Sequence, residues 1–243
     1  MGKTAAAIVI GNEVLSGKVQ DANGVLLIRR FRELGVELKK VLVVQDDVDA
    51  IVEAVASVRF KADVVITSGG VGPTHDDVTV RAVAMALSRR VIRDPVIEES
   101  VRAHYGDAVT PEAFRLADAP EGATFVPCPD IWLPVLLVEN LALLPGVPEL
   151  FRRHFEAIAP RFQDSPFHLR CLYLNQFEAS FAGILDRVAH AHPDVAIGSY
   201  PRFDRDADYK VKLTLESKVK ARVDEVVEEL LAGLPAQIVV RVE

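Results

Sequence analysis

The sequence predicts an α/β protein built from two domains: a three-layer αβα domain with a mostly parallel sheet, then a smaller α+β domain. In residues 1–164, short β-branched runs alternate with longer amphipathic segments, which is the pattern of a parallel sheet covered by helices. In residues 165–243 the predicted elements instead follow the order β-α-β-β-α-β. A chain of 243 residues is long for one compact domain and sufficient for two.

Hydrophobic periodicity predicts the elements of the first domain. Residues 5–10 form an apolar run that ends at Gly11, as expected for a buried strand. The next segment carries Leu27 and Phe31 at helical spacing and stops at Gly35. In chain order, the predicted elements are a strand at 5–10, a helix at 23–34, a strand at 38–44, a helix at 49–58, a strand at 63–67, a helix at 78–87, a strand at 141–144 and a helix at 148–159.

Prolines interrupt residues 93–134, so the pattern there is less regular. This segment is predicted to hold helices at 96–105 and 111–117 and an antiparallel pair of strands at an edge. The pattern changes near Asp164, and the β-α-β-β-α-β order that follows is the split βαβ arrangement of ferredoxin-like domains. The predicted elements of this second domain are strands at 168–174, 195–200, 209–217 and 237–242 and helices at 178–191 and 221–231.

Composition and charge exclude several classes of function. The net charge of −7 argues against a general nucleic-acid binder, which carries a basic face, but leaves a nucleotide ligand open. Cys128 and Cys171 have neither metal-ligand spacing nor the density of a disulfide scaffold, so we expect two small core residues in a reducing cytoplasm. The longest apolar stretch, residues 131–138, contains Pro134 and cannot span a bilayer. The sequence therefore predicts a cytoplasmic protein without nucleic-acid or membrane partners.

Glycines and acids recur directly after four predicted strands of the first domain, at residues 11–13, 45–47, 68–77 and 145–149. The carboxyl ends of parallel strands meet at one edge of an open sheet, and ligands bind there at a topological switch point. Four such turns at one edge predict a ligand pocket.

The turn at residues 69–77 is the most informative. Its glycines let the backbone approach an oxyanion, and the helix that follows offers free N–H groups. It is not a dinucleotide fingerprint, because His75 stands where that motif has its third glycine, and no Lys-Ser or Lys-Thr follows to make a P-loop. Two interpretations remain open: a phosphate site, or a tight turn in which Asp76 or Asp77 caps the helix.

The adjacent acids Asp76 and Asp77 repel each other unless a cation or hydrogen-bond donors compensate. With Glu13 and Asp46 they could hold a hard divalent ion that bridges phosphate oxygens. Alternatively, they are solvated acids that stabilise a helix start. The pattern alone leaves both interpretations open.

Three motifs carry a resemblance to a known family. Residues 11–17 (GNEVLSG), with Asp21-Ala22-Asn23, resemble the opening of CinA-type proteins. Residues 67–79 (TSGGVGPTHDDVT) match the Gly-rich signature of those proteins and are similar, more distantly, to the loop of the MogA, MoaB and gephyrin molybdopterin domains. Residues 144–148 (LPGVP) are a third shared element.

Motifs in both predicted domains also resemble the molybdopterin-binding-type domain of eukaryotic FAD synthases. These are residues 132–135 (WLPV), 197–201 (IGSYP) and 209–215 (YKVKLTL). Because the sequence ends at Glu243, we expect neither the amidase domain of CinA nor the adenylyltransferase domain of FAD synthase. Nicotinamide-mononucleotide deamidation and FAD synthesis are therefore not expected.

The resemblance implies hydrolysis of a dinucleotide pyrophosphate, FAD or ADP-ribose, with a divalent metal (magnesium, manganese or cobalt) and with potassium as a further cation. The more distant similarity to the molybdopterin proteins implies instead pterin binding or adenylylation, in which the acids aligned with Asp77 and Asp46 matter. The second hypothesis is therefore a pterin-binding protein without turnover of its own. A third reading is a degenerate scaffold that acts through oligomerisation. In each case the resemblance implies a homo-oligomer, a dimer or trimer.

Asp77 and Asp76 are the predicted catalytic residues, and the amides of residues 69–72 are predicted to stabilise developing charge. The predicted metal ligands are Asp77, Asp76, Glu13 and Asp46. The predicted ligand- and phosphate-binding residues are Gly11, Glu13, Asn23, Thr67, Ser68, Gly69, Gly70, Gly72, Pro73, Thr74 and Gly146.

Overall fold

A computed structural model describes residues 2–204 and 208–243, and the chain divides into two units, Met1–Asp164 and Ser165–Glu243. The elements of the first unit are β1 (Thr4–Ile10), α1 (Asn12–Leu15), α2 (Asn23–Glu33), β2 (Glu37–Val44), α3 (Val48–Val58), β3 (Val64–Ser68), α4 (Thr79–Ala86), β4 (Val91–Arg93), α5 (Pro95–Tyr105), β5 (Asp118–Pro120), β6 (Thr124–Cys128), β7 (Ile131–Val138), β8 (Leu141–Leu144) and α6 (Pro148–Ile158). Those of the second unit are β9 (His168–Leu174), α7 (Ala182–Ala191), β10 (Ala196–Pro201), β11 (Val211–Ser217), α8 (Lys220–Gly233) and β12 (Val239–Val242).

The main sheet of the first unit has the strand order β2-β1-β3-β8-β7-β6. The four neighbouring strands β2, β1, β3 and β8 pair in parallel. In contrast, β7 pairs with β8, and β6 with β7, in the antiparallel sense. The α/β class and the mostly parallel sheet are therefore confirmed, although the sheet is mixed. The antiparallel pair lies at the sheet edge, as the proline-rich segment predicts.

Helices cover both faces of this sheet. On one face, α2 and α6 pack Phe31 and Phe155 against Ala5 and Ala7 of β1. On the other face, α3 and α4 pack against the alternate residues of the same strand, including Ile8. Because each face is covered, β1 is apolar along its buried length, as expected of a central parallel strand.

The second unit is built on a four-stranded antiparallel sheet with the order β10-β11-β9-β12. Its core joins Leu172 and Leu213 of the sheet to Val188 of α7 and Val226 of α8. The elements follow the order β-α-β-β-α-β that the sequence predicts.

Local deviations from the prediction have local causes. The helix predicted at 178–191 is broken at the buried residue Phe181, whose φ of −134° is not helical, so α7 starts one residue later. Pro134 lies inside β7, next to an irregularity in the pairing with β6, where a missing N–H is tolerated.

Cys128 and Cys171 are buried and unbridged, as predicted. Among the described residues, no helix is long and apolar enough to cross a membrane.

Candidate functional site

A cleft of about 500 Å³ lies at the carboxyl edge of the parallel strands. The loops after β1, β2, β3 and β8 contribute to it, because these four strands are parallel neighbours and end at the same edge. The predicted site residues that line the cleft are Glu13, Asp46, Gly69, Gly70, Gly72, Asp76, Asp77 and Gly146.

Two glycines with left-handed backbone set the path of the chain after β3. Gly69 has a φ of +104° and Gly70 a φ of +67°. A Cβ on Gly69 would lie 2.3 Å from the carbonyl oxygen of Ile10, and a Cβ on Gly70 would lie 2.3 Å from Oγ1 of Thr79. Both positions therefore require glycine for backbone angle and for space.

Thr79, the first residue of α4, hydrogen-bonds to two carbonyl groups of this loop. Its fully buried hydroxyl donates to the carbonyl of Gly69 at 2.8 Å, and its N–H donates to the carbonyl of Gly70 at 2.9 Å. Sequence reasoning did not single out Thr79. The available signal was a threonine at the start of the helix that follows a Gly-rich turn.

The amides of the loop are not equivalent. The N–H of Gly69 donates to the carbonyl of Leu144 at 3.0 Å, so it is already engaged. The N–H groups of Gly70, Val71 and Gly72 have no hydrogen-bond partner among the described residues, and all three residues line the cleft. The predicted set of charge-stabilising amides, residues 69–72, is thereby reduced to residues 70–72.

Asp76 and Asp77 close a turn within the loop and do not cap α4. Val78 precedes α4 and provides no side-chain cap. Asp77 Oδ2 accepts the N–H of Thr74 at 2.8 Å, and the Thr74 hydroxyl lies 2.6 Å from Asp76 Oδ1 and 2.5 Å from Asp77 Oδ2. The helix-cap interpretation of these acids is therefore wrong, and both carboxylates instead accept hydrogen bonds from Thr74.

The Thr74 hydroxyl also affects the charge of its neighbour. Its hydrogen bond holds the pKa of Asp76 below the usual range of a carboxyl, since it stabilises the ionised form. Asp76 is exposed and stays ionised at neutral pH. The loop therefore presents a fixed negative charge at the rim of the cleft.

The other two acids follow the first two strands, Glu13 in α1 and Asp46 in the loop after β2. Asp46 Oδ2 accepts the N–H of Asn12 at 2.7 Å, which joins the end of β2 to the start of α1. The Glu13 carboxylate lies over Gly11, where a Cβ would be 2.7 Å from Oε1. Gly11 itself is buried and is not part of the cleft lining.

The four acids line one cleft but do not form a ready-made metal cage. No group of three or more His, Cys, Asp or Glu residues in the described part of the chain is placed to hold a metal ion. Magnesium binds in proteins through one or two carboxylates and fills its remaining positions with water and substrate phosphates. The carboxylates of the cleft fit that mode of binding.

Other predicted residues lie under the cleft. Asn23 is buried, and its Nδ2 donates to Ser68 Oγ and to the carbonyl of Gly146, both at 2.8 Å. This amide therefore links the end of β3 to the loop after β8 by hydrogen bonds. Thr67 is fully buried, and its Oγ1 has no partner among the described residues. Pro73 and Thr74 stand in the loop beside the cleft, outside its lining.

Arg115 is a further neighbour of the loop that sequence reasoning missed. It belongs to a 3₁₀ helix, Glu112–Ala117, and its Nη1 donates to the carbonyls of Pro73 (3.2 Å) and Thr74 (3.3 Å). It lies in the proline-punctuated segment, and none of the motifs identified in the sequence includes it.

Comparison with known proteins gives the family. Residues 6–164 match the family described as probable molybdopterin binding domain, and residues 166–243 match the FAD synthase, middle domain. A protein of Archaeoglobus fulgidus is 34% identical over 197 residues, which cover 80% of this chain and 84% of the relative.

Two further relatives agree with the motifs. A probable FAD synthase of Caenorhabditis elegans is 34% identical over 264 residues, which cover 95% of this chain, and the chain spans 50% of that relative. The CinA protein of Thermoplasma acidophilum, whose crystal structure is described as having unknown function, is 28% identical to this chain, with a TM-score of 0.63. The aligned region covers 66% of this chain and 98% of the CinA chain. The chain therefore belongs to the probable molybdopterin binding domain family, is CinA-like, and continues into a segment of the FAD synthase middle-domain family.

Proposed function

We propose that this chain hydrolyses the pyrophosphate of a dinucleotide, FAD or ADP-ribose, with a divalent cation. The observation that carries the proposal is the cleft, in which three free backbone N–H groups of residues 70–72 share one volume with four carboxylates. About 500 Å³ falls within the usual range of ligand pockets. The similarity to a probable FAD synthase supports a dinucleotide ligand.

The chain's own groups have distinct parts in this proposal. The N–H groups of Gly70, Val71 and Gly72 bind phosphate oxygens and stabilise the charge that develops there. Thr79 and Asn23 keep these donors in place, since both donate hydrogen bonds to loop carbonyls. Such prior fixation makes hydrogen bonds effective in catalysis, because no reorganisation accompanies the reaction.

Asp77, Asp76, Glu13 and Asp46 are the residues that would hold magnesium, manganese or cobalt, with potassium as an additional cation. A divalent ion there would neutralise phosphate charge and supply Lewis acidity for attack by water. This assignment follows from the chemistry of the donors, since two phosphates cannot settle among four carboxylates without positive charge.

A substrate panel tests this proposal. FAD, ADP-ribose, NAD and molybdopterin are each incubated with the protein and with magnesium, manganese or cobalt, and the products are separated by chromatography. In the presence of metal we expect AMP and FMN from FAD, or AMP and ribose 5-phosphate from ADP-ribose. No product from any dinucleotide with any metal would contradict the proposal.

The second candidate is a pterin-binding protein without turnover, which the match of residues 6–164 to the probable molybdopterin binding domain favours. It uses the same cleft. Tight binding of molybdopterin with no products in the same panel would support it. The third candidate, a scaffold that acts only through oligomerisation, leaves the acids beside the loop without a role.

We also propose a homo-oligomer, a dimer or trimer, without a nucleic-acid partner. The net charge of −7 disfavours a polyanion. Light scattering coupled to gel filtration should give two or three times the mass of one chain. Tight, salt-sensitive binding to mixed DNA or RNA would contradict the second half of this proposal.

A further inference from the structure

The charges around the cleft are one-sided. Glu13, Asp46, Asp76 and Asp77 line it, and none of the described lining residues is a lysine or an arginine. A pyrophosphate adds further negative charge. Backbone N–H groups and a soluble cation help, but phosphate sites in proteins also use fixed cationic side chains.

One arginine lies beside this cleft. A second, smaller cavity of about 40 Å³ adjoins the cleft and shares four wall residues with it, Val71, Leu116, Leu133 and Pro145. Arg115 lines this smaller cavity. Its Nη1 is fixed by the two loop carbonyls, whereas its Nε and Nη2 make no hydrogen bond with any described residue.

Other arginines of the same segment have carboxylate partners. Arg93 pairs with Asp118 at 2.9 Å, and Arg102 pairs with Glu98 at 2.7 Å. Arg115 is exposed and forms no such pair within the described part of the chain, although Asp118 lines the same smaller cavity. Its two bonds go to neutral carbonyls, so its charge is not compensated by an ion pair.

We propose that Arg115 is a phosphate-binding residue of the cleft, and this rests on the proposed function in that the ligand carries phosphate. Its planar guanidinium can give two parallel N–H bonds to one phosphate. The bonds from Nη1 to Pro73 and Thr74 hold that plane in place, so less side-chain entropy is lost when the ligand binds. Arg115 also couples ligand binding to the turn that carries Asp76 and Asp77.

The experiment measures how tightly the full chain binds FAD, riboflavin and inorganic pyrophosphate, which are matched ligands with and without phosphate. Calcium replaces magnesium, so that a divalent cation with oxygen ligands is present without the metals proposed to support hydrolysis. The variants are Arg115→Gln and Arg115→Lys, with Arg102→Gln as the control from the same segment. We expect Arg115→Gln to weaken FAD and pyrophosphate on the order of 10- to 100-fold while riboflavin changes by less than about 2-fold. Arg115→Lys keeps the charge without the fork and should fall between wild type and Arg115→Gln.

The outcomes separate this inference from the proposed function. Unchanged FAD and pyrophosphate affinity in Arg115→Gln, or an equal loss for riboflavin, overturns the role of Arg115. If the wild type binds pyrophosphate but hydrolyses no dinucleotide, the proposed activity fails, and a loss of pyrophosphate binding in the variant still supports Arg115. If the wild type binds no phosphate-bearing probe, both are overturned. Should Arg115→Gln fail to fold, Arg115→Lys gives the same comparison.

Discussion

Single residues determine the shape of the Gly-rich loop. Gly70 needs a positive φ and leaves no room for a Cβ, because the buried hydroxyl of Thr79 lies where that carbon would be. The same hydroxyl holds the carbonyl of Gly69. The shape of the loop at Gly69 and Gly70 therefore depends on one buried hydroxyl group.

Gly70→Ala should destabilise the protein more than Gly17→Ala. Both glycines have a similar positive φ, +67° and +72°, so alanine costs about 1–2 kcal/mol of backbone strain at either position. Only Gly70 adds a steric contact, since nothing lies within 4 Å of a Cβ at Gly17. We expect an extra loss of about 1–3 kcal/mol in urea unfolding. Equal losses would show that the loop yields without cost.

Asp77→Asn should reduce hydrolysis by roughly 100-fold or more while the protein stays folded. Asparagine can still accept the N–H of Thr74, so we expect a change in unfolding free energy of about 1 kcal/mol or less. The matched control is Asp47→Asn, because Asp47 caps α3 by accepting the N–H of Ala50 and asparagine caps equally well. Full activity in a folded Asp77→Asn variant would reject the role of this acid.

Among the elements, α6 connects the cleft to the core. It starts directly after the loop that carries Gly146, and it buries Phe151, Phe155 and Ile158 against the sheet. His154, also buried on this helix, contacts the carbonyl of Leu133 through Nε2 at 3.0 Å. A carbonyl only accepts, so Nε2 carries the proton, and Nδ1 has no partner among the described residues.

His154→Gln should weaken the dependence of stability on pH. Burial lowers the pKa of His154 below its ordinary value of about 6.5, because the charged ring is poorly solvated. The unfolded chain then binds this proton more readily, so the stability His154 contributes is present above about pH 6.5 and is lost as pH falls through the lower folded pKa.

The measurement is thermal unfolding at pH 7.5 and 5.5. The wild type should lose more stability between these two values than His154→Gln does. His190→Gln is the control, since His190 is exposed on α7, and it should behave as the wild type does. An identical pH response in the wild type and in His154→Gln would contradict the prediction.

The whole molecule consists of two units with separate cores. The cores of the first unit contain residues from Ala5 to Phe162, and the core of the second contains residues from Leu172 to Val242. Every residue that lines the cleft belongs to the first unit. The cleft and the sheet of the second unit are therefore encoded in different parts of the chain.

Residues 1–164 alone should fold and keep the ligand affinity of the full chain within about 3-fold, because they hold a complete core and the whole cleft. Cooperative unfolding and FAD titration of this fragment check the prediction. Residues 165–243 should fold as well and bind none of the ligands. A fragment 1–164 that folds but loses affinity would show that the second unit takes part in binding.

By itself, the sequence determined the α/β class, the order of the main helices and strands and the Gly-rich loop after β3, because hydrophobic period and glycine spacing are local properties of a chain. Only the tertiary structure decided which distant side chains hold the loops of the cleft. Asn23 holds the carbonyl of Gly146 across 123 positions, and Arg115 reaches Thr74 across 41. Local spacing contains no information about such partners. They are set by which strands become neighbours, and so by how the whole chain buries its apolar surface.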